Sequence, residues 1–209
     1  MDTLHFLERV LPSNGNYCAA YKYLDKAGKE GIGQKFYSSV KDLADCLKLY
    51  SERDTDVYYG VASFSSSKRE QDNVQGIKVL AIDVDVGKVR NSYPTRKDAL
   101  TAIGEFVGQA KLPDPLLVSS GMGFHCYWVL DQEVSVHEWQ PLADALKACW
   151  QAYGLVADPT VTADSARILR PVGCKHIKSG RTVRLARDAA DTTVEVMRAA
   201  LADYYSAEP

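Results

Sequence analysis

This sequence predicts an α+β domain with mixed sheets flanked by helices, and three observations carry the prediction. Apolar residues make up 46% and charged residues 25% of the 209. That is the balance of an ordinary globular chain, and it excludes disorder, collagen and coiled coil. Strand-like and helix-like segments alternate irregularly rather than as a regular βα repeat, and several adjacent strands are joined by hairpin-sized turns. No internal repeat or low-complexity tract divides the chain, so one continuous core over 1–209 is expected rather than two.

The elements follow in order. Residues 3–10 read as a short helix with Leu4, Phe6 and Leu7 inward. Leu11-Pro12-Ser13-Asn14-Gly15 is turn chemistry, and Asn16–Leu24 is a tyrosine-rich strand. Asp25–Gly33 reads as a hairpin loop and Lys35–Ser38 as a short returning strand. Ser39 then caps a helix in which Val40, Leu43, Leu47 and Tyr50 recur at helical spacing. Val57–Phe64 and Ile77–Val86 are strands by their β-branched and aromatic content. Thr95–Ala110 is helical, with Ala99, Ile103, Phe106 and Val107 on one face. Leu116–Ser119 and Phe124–Leu130 are strands flanking a Gly-x-Gly turn. Ser135–Tyr153 is a helix whose apolar face includes Trp139, Leu142, Leu146, Cys149 and Tyr153, with Pro141 expected to kink it or reset its start. Arg181–Leu185 closes the strands and Thr192–Tyr204 the helices.

No run approaches the roughly 18–20 apolar residues of a membrane helix, and the N-terminus lacks a basic-then-apolar leader. A cytoplasmic protein with no membrane partner is the expectation. Five scattered cysteines with no C-x-x-C pair argue against a disulfide framework and a zinc knuckle. Charge is unevenly placed. Arg167, Arg170, Lys175, Lys178, Arg181, Arg184 and Arg187 stand between residues 165 and 187 without one acidic residue, in a chain of net charge −2. Such a segment is either a phosphate-facing surface or a solvated face.

Three stretches hold residues suited to chemistry. In Val79-Leu80-Ala81-Ile82-Asp83-Val84-Asp85-Val86-Gly87, strand alternation puts Asp83 and Asp85 on one face and Leu80, Ile82, Val84 and Val86 on the other. Two carboxylates about 4–6 Å apart repel by a few kcal/mol at an effective dielectric of 20, which a hard divalent cation would relieve. The alternative is that one caps the turn before Gly87 and the other is merely exposed. In Ser119-Ser120-Gly121-Met122-Gly123-Phe124-His125, a glycine-bearing turn offers backbone N–H groups to a phosphate and places His125 just inside the returning strand. In the third stretch Asp158 and Asp164 precede Arg167-Ile168-Leu169-Arg170-Pro171-Val172-Gly173-Cys174-Lys175-His176, where the guanidinium groups suit bidentate phosphate recognition.

The order of these three stretches resembles the archaeo-eukaryotic primase superfamily, in particular the primase–polymerase domains of phages and plasmids. Asp83 and Asp85 match the first motif, Ser120 and His125 the second, and Asp158 the third. The Arg-x-x-Arg-Pro-x-Gly run is close to the family's Arg-Leu-Pro-Gly-Thr pattern, and the resemblance spans roughly residues 57–187. It departs at Cys174-Lys175-His176, where many relatives have Thr-x-Asn, and Asp164 competes with Asp158 as third carboxylate.

The resemblance implies two half-modules around a cleft, one similar to an RNA-recognition-motif sheet. It implies template-directed nucleotidyl transfer with two Mg²⁺ or Mn²⁺ ions held by Asp83, Asp85 and Asp158 (or Asp164). A nucleoside triphosphate would lie on Ser120, Gly121, Gly123, His125, Arg167, Arg170 and Lys175, with Tyr58, Tyr59 or Arg69 as further pocket residues. A single-stranded DNA template and primer would reach Lys178, Arg181, Arg184 and Arg187. It implies further a bacterial or archaeal host cell, and the ending Ser206-Ala207-Glu208-Pro209 suggests the N-terminal part of a longer replication protein that continues into a helicase. Two other classes stay open: a two-metal phosphodiesterase or nuclease, and a non-catalytic replication-initiator module that binds single-stranded DNA.

Overall fold

The computed structural model of the chain describes residues 1–87 and 91–205. The terminal Ser206–Pro209 sequence, read above as pointing to a longer protein, lies outside them. The first helix, α1 (Thr3–Val10), is capped by Asp2 and leads into a hairpin of β1 (Asn16–Leu24) and β2 (Glu30–Tyr37). Helix α2 (Val40–Glu52) starts at the predicted Ser39 cap and precedes β3 (Val57–Phe64) and β4 (Val74–Asp85). Helix α3 (Arg96–Gln109) is followed by β5 (Leu116–Ser119), β6 (Gly123–Val134) and α4 (Val136–Ala152). Short strands β7 (Ile168–Leu169), β8 (Lys175–His176), β9 (Arg181–Thr182) and β10 (Arg184–Arg187) and helix α5 (Val194–Ala200) complete the chain.

One eight-stranded sheet runs β10-β5-β6-β4-β3-β1-β2, with β7 beside β3, and its ladders are antiparallel. Its middle is forked. β3 and β4 pair only from Ala62↔Ile77 to Phe64↔Val74. Beyond that point β3 takes β7 as its partner through Tyr59↔Leu169 and Gly60↔Ile168, while β4 continues alongside β6 as far as Asp85↔Gly123. The two halves of the sheet therefore part company, and a cleft opens between them.

Helix α2 lies against β1 and β3, α4 against β4, and α3 against β6. A single buried apolar cluster runs through all of these elements. Phe6 of α1 meets Tyr59 and Tyr127 edge-on, with ring centroids 5.7 and 5.8 Å away. On α4, Trp139 donates its indole N–H to the Val79 carbonyl at 2.7 Å, fixing the helix to the strand that carries the aspartates.

The structure departs from the sequence expectation in several places, β6 for one running on to Val134 rather than ending at Leu130. β2 begins at Glu30 rather than Lys35, because cross-strand pairing with β1 extends to Leu24↔Glu30. Pro141 does not reset the start of α4, since the Ser135–Glu138 capping box and buried Trp139, Leu142 and Leu146 hold the helix through it. Tyr153 sits at that helix's C-cap, 39% exposed, rather than in the core. The final strand is split at Val183, which is buried and exchanges backbone hydrogen bonds with Gly173 and Cys174; β9 pairs with β8 and β10 with β5. All five cysteines are buried and unpaired. No helix of the described residues is long and apolar enough to cross a membrane.

Candidate active site

The β4–β6 register sets Asp83 directly opposite His125 and Asp85 opposite Gly123. Leu80, Ile82 and Val84 are fully buried on the other face, so alternation turns both carboxylates toward the fork in the sheet. There they line a cavity of about 710 Å³. Asp83, Asp85, Ser120, Met122 and His125 form one side, and Tyr58, Arg69, Arg167 and Arg170 face it from the β3–β7 half. Asp158, His176 and Lys178 complete the polar lining.

Asp158 reaches the cavity because its backbone N–H donates to the Asp83 carbonyl at 2.9 Å, which ties the 158 loop to β4. Its carboxylate accepts from the Thr160 N–H and hydroxyl at 2.9 and 2.7 Å, and Arg167 Nη2 lies 3.5 Å from Oδ2. Asp164 is spent differently. It accepts from Gln71 Nε2 and the Ala166 N–H and does not line the cavity, so of the two candidates only Asp158 stands with Asp83 and Asp85.

His125 is buried, with its Nε2 3.7 Å from Asp83 Oδ1 and its Nδ1 3.1 Å from the Tyr127 hydroxyl. The Tyr59 hydroxyl lies 3.2 Å beyond, donating to Tyr127. This buried row fixes the histidine's tautomer. If Tyr59 donates to Tyr127 and Tyr127 to Nδ1, both hydroxyl protons have an acceptor and an Nε2–H points toward Asp83. The reverse order would strand the Tyr59 proton in the core and aim a lone pair at a carboxylate, each unfavourable. Burial, with a smaller push from the Arg170 cation, lowers His125 to a pKa of about 3, so the ring is neutral at neutral pH.

Arg170 stacks over the Tyr58 ring at 4.5 Å, donates to the Tyr58 hydroxyl at 2.8 Å and ion-pairs with Asp56. Burial pushes the Asp56 carboxyl up, but the Arg170 guanidinium outweighs it and holds the group below the usual carboxylate range. Arg170 is thus clamped in place as a rigid cation on the cavity wall.

Several sequence-derived assignments need correction. Lys175 points away from the cavity and pairs with Asp54 at 2.9 Å, whereas its neighbour His176 lines it. Tyr59 is buried with Tyr127; only Tyr58 and Arg69 of that group reach the lining. Gly121 and Gly123 pack too closely to carry side chains: a Cβ on Gly121 (φ +106°) would sit 2.5 Å from His176 Cβ, and one on Gly123 would sit 2.2 Å from the Val84 carbonyl oxygen. The more distal basic residues were expected at the template strand rather than in the cavity; of them Lys178 lines the cavity. Arg187 pairs with Asp114 at 3.5 Å, and Arg181 and Arg184 line a separate hollow with Arg96. The sequence reading missed Asp56, Tyr127 and Arg96. Arg96 carried a signal, because a cation in a helix's first turn opposes the helix dipole and so needs another reason to be there.

Known structures share this overall fold. The archaeo-eukaryotic primase (AEP) domain of the cyanophage S-2L primase-polymerase superposes with a TM-score of 0.71 at 16% identity, over 96% of each chain. The chain has the archaeo-eukaryotic primase fold. The catalytic domain of primase RepB′, solved with initiator DNA, shares that primase fold with a TM-score of 0.60 at 14% identity, over 98% of this chain and 94% of its own. A longer structure of primase RepB′ gives 0.57 at 15% identity, with 97% of this chain matching 60% of that one. No protein-family model matches the chain, and no curated protein matches it by sequence.

Proposed function

We propose that the cavity joins nucleotides on a nucleic-acid template, the primase and polymerase reaction. The observation that carries this reading is the pairing of opposites across one cleft: Asp83, Asp85 and His125 on β4 and β6 face Arg167 and Arg170 on the other half of the sheet. Carboxylates and guanidinium groups about a shared solvent-filled cleft suit a substrate that is itself a metal-complexed polyphosphate. The primase fold supports the same reading.

The donor set fits a hard cation. Asp83 and Asp85 offer oxygen ligands from adjacent same-face positions, which suits Mg²⁺ or Mn²⁺, ions that take one or two carboxylates and complete their shell with water and phosphate. Among the described residues no three His, Cys, Asp or Glu side chains enclose one ion by themselves, so the remaining ligands would come from substrate and water. Such ions, when bound, would lower the pKa of a primer 3′-hydroxyl and neutralise the leaving pyrophosphate. The chain's own residues bind and orient. The His125 Nε2–H and the Ser120 hydroxyl would donate to phosphate oxygens, Arg167 and Arg170 would clamp the polyphosphate from across the cleft, and Tyr58 gives Arg170 its fixed plane.

Incubation with Mn²⁺ or Mg²⁺, labelled deoxynucleotides or ribonucleotides and a primed template tests the reading. Primer extension that disappears in Asp83→Ala/Asp85→Ala, with circular dichroism unchanged, is the expected result. A shortened primer would make the protein a phosphodiesterase, and a mobility shift with neither outcome would make it a binding module.

A further inference from the structure

Beside the 120–123 turn, and separate from the cavity, lies a hollow of about 460 Å³ lined by Arg96, Ser119, Arg181, Thr182 and Arg184. Among the described residues its lining contains three guanidinium groups and no carboxylate. Two of the three are held from behind. Arg96 donates to the buried Ser119 hydroxyl at 2.9 Å and to the Gly123 carbonyl at 3.5 Å, and its guanidinium lies 4.2 Å over the Phe124 ring. Arg181 donates to the Gly121 carbonyl at 3.1 Å. Arg184 is exposed on β10, paired through Arg184↔Ser119 with β5.

Three like charges gathered from three elements repel one another. Burial, together with the Arg181 and Arg184 cations, lowers the Arg96 pKa. The start of α3 adds the positive end of a helix dipole to the same place. Among the described residues no acid stands between these pinned arginines, which leaves the balancing charge to a ligand. The lining offers hydroxyls and guanidinium groups but no free aromatic face, so it has the means to hold phosphate and none to stack a base.

We propose that Arg96, Arg181 and Arg184 form a phosphate subsite for the sugar–phosphate backbone of one nucleic-acid strand passing beside the catalytic turn. The proposal rests on the nucleotidyl-transfer reading for its purpose, because Ser120 and Met122 of that same turn line the cavity. It extends that reading by assigning the strand to a groove that holds the backbone without reading sequence, and by adding Arg96, which lies far from the basic 167–187 segment in sequence.

The test is fluorescence anisotropy of a labelled single-stranded oligonucleotide with the full chain, in EDTA and without nucleotide, at several salt concentrations. Arg96→Gln/Arg184→Gln should weaken binding by about tenfold per arginine and flatten the log–log salt slope by about 0.7 for each phosphate no longer neutralised. Lys41→Gln, which removes one charge on α2, should leave the slope alone. A methylphosphonate oligonucleotide, which lacks the backbone charge, should bind no better to wild type than to the double variant. Unchanged affinity and slope in the double variant would overturn the proposal, as would displacement of the strand by micromolar inorganic triphosphate, which would assign the hollow to a nucleotide's phosphates. Because binding is read without metal or nucleotide, a failed incorporation assay would count against the proposed activity and not against this subsite.

Discussion

The Tyr127 hydroxyl stands 3.1 Å from His125 Nδ1, two residues along the same face of β6, and the Tyr59 hydroxyl backs it at 3.2 Å. The row points a single N–H from His125 toward the cleft. Nitrogen-15 NMR of wild type at pH 7 should show the Nε2-protonated neutral tautomer. Tyr127→Phe removes the donor to Nδ1 and should raise the nucleotide KM by about tenfold, the worth of one ordinary hydrogen bond, with a smaller effect on kcat. A wild-type spectrum of the Nδ1-protonated form would refute the assignment.

Burial of a neutral His125 makes stability depend on pH, and the sign follows from the shift. The folded group has a pKa of about 3 and the unfolded one about 6.5, so between these values the unfolded chain binds more protons. Stability from this residue is therefore full above about pH 6.5 and falls with decreasing pH, by up to about 1.4 kcal/mol per unit. Urea unfolding of wild type and His125→Gln from pH 4 to 7.5 should give curves that converge toward acid. Parallel curves would mean that the imidazole is solvated.

Arg170 has two duties that can be separated. Its ion pair with Asp56 is mostly buried, the two side chains being 14% and 12% exposed. Arg170→Ala leaves that carboxylate with the Ile177 N–H, and should cost about 2–4 kcal/mol in denaturant unfolding as well as most nucleotide incorporation. In Arg170→Ala/Asp56→Ala stability should largely return while incorporation does not. Recovery of both together would place Arg170 in the scaffold alone.

One substitution should act with opposite signs at two glycines. Gly123→Ala would drive a Cβ to 2.2 Å from the Val84 carbonyl oxygen, backbone against backbone, at the point where β6 meets Asp85. It should cost several kcal/mol or prevent folding. Gly104, inside α3, has open space at its Cβ position, so Gly104→Ala should raise stability by about 0.5–1 kcal/mol. Thermal melts of both variants check the pair.

The sequence by itself determined what depends on local periodicity. Alternation along Leu80–Val86 put Asp83 and Asp85 on one face, the Ser39 and Ser135 caps marked where two helices begin, and the apolar runs located the central strands. The three motifs, taken in order, carried the resemblance to the primase fold. Only the tertiary structure decided which charges meet. Asp158 and Asp164 are equivalent as letters, yet one backbone hydrogen bond to Asp83 brings the first into the cleft while the second closes a turn. Seven basic residues that read as one segment are divided among the cavity, a second hollow and surface ion pairs. The row that ends on His125 needs Tyr59, 68 residues from Tyr127, and the place of Arg96 is set by Ser119, 23 residues away, so neither role is written in local sequence. Periodicity records which face a side chain takes, whereas the partner it finds there depends on how the sheet forks and which strand returns, and that is settled by the packing of the whole chain.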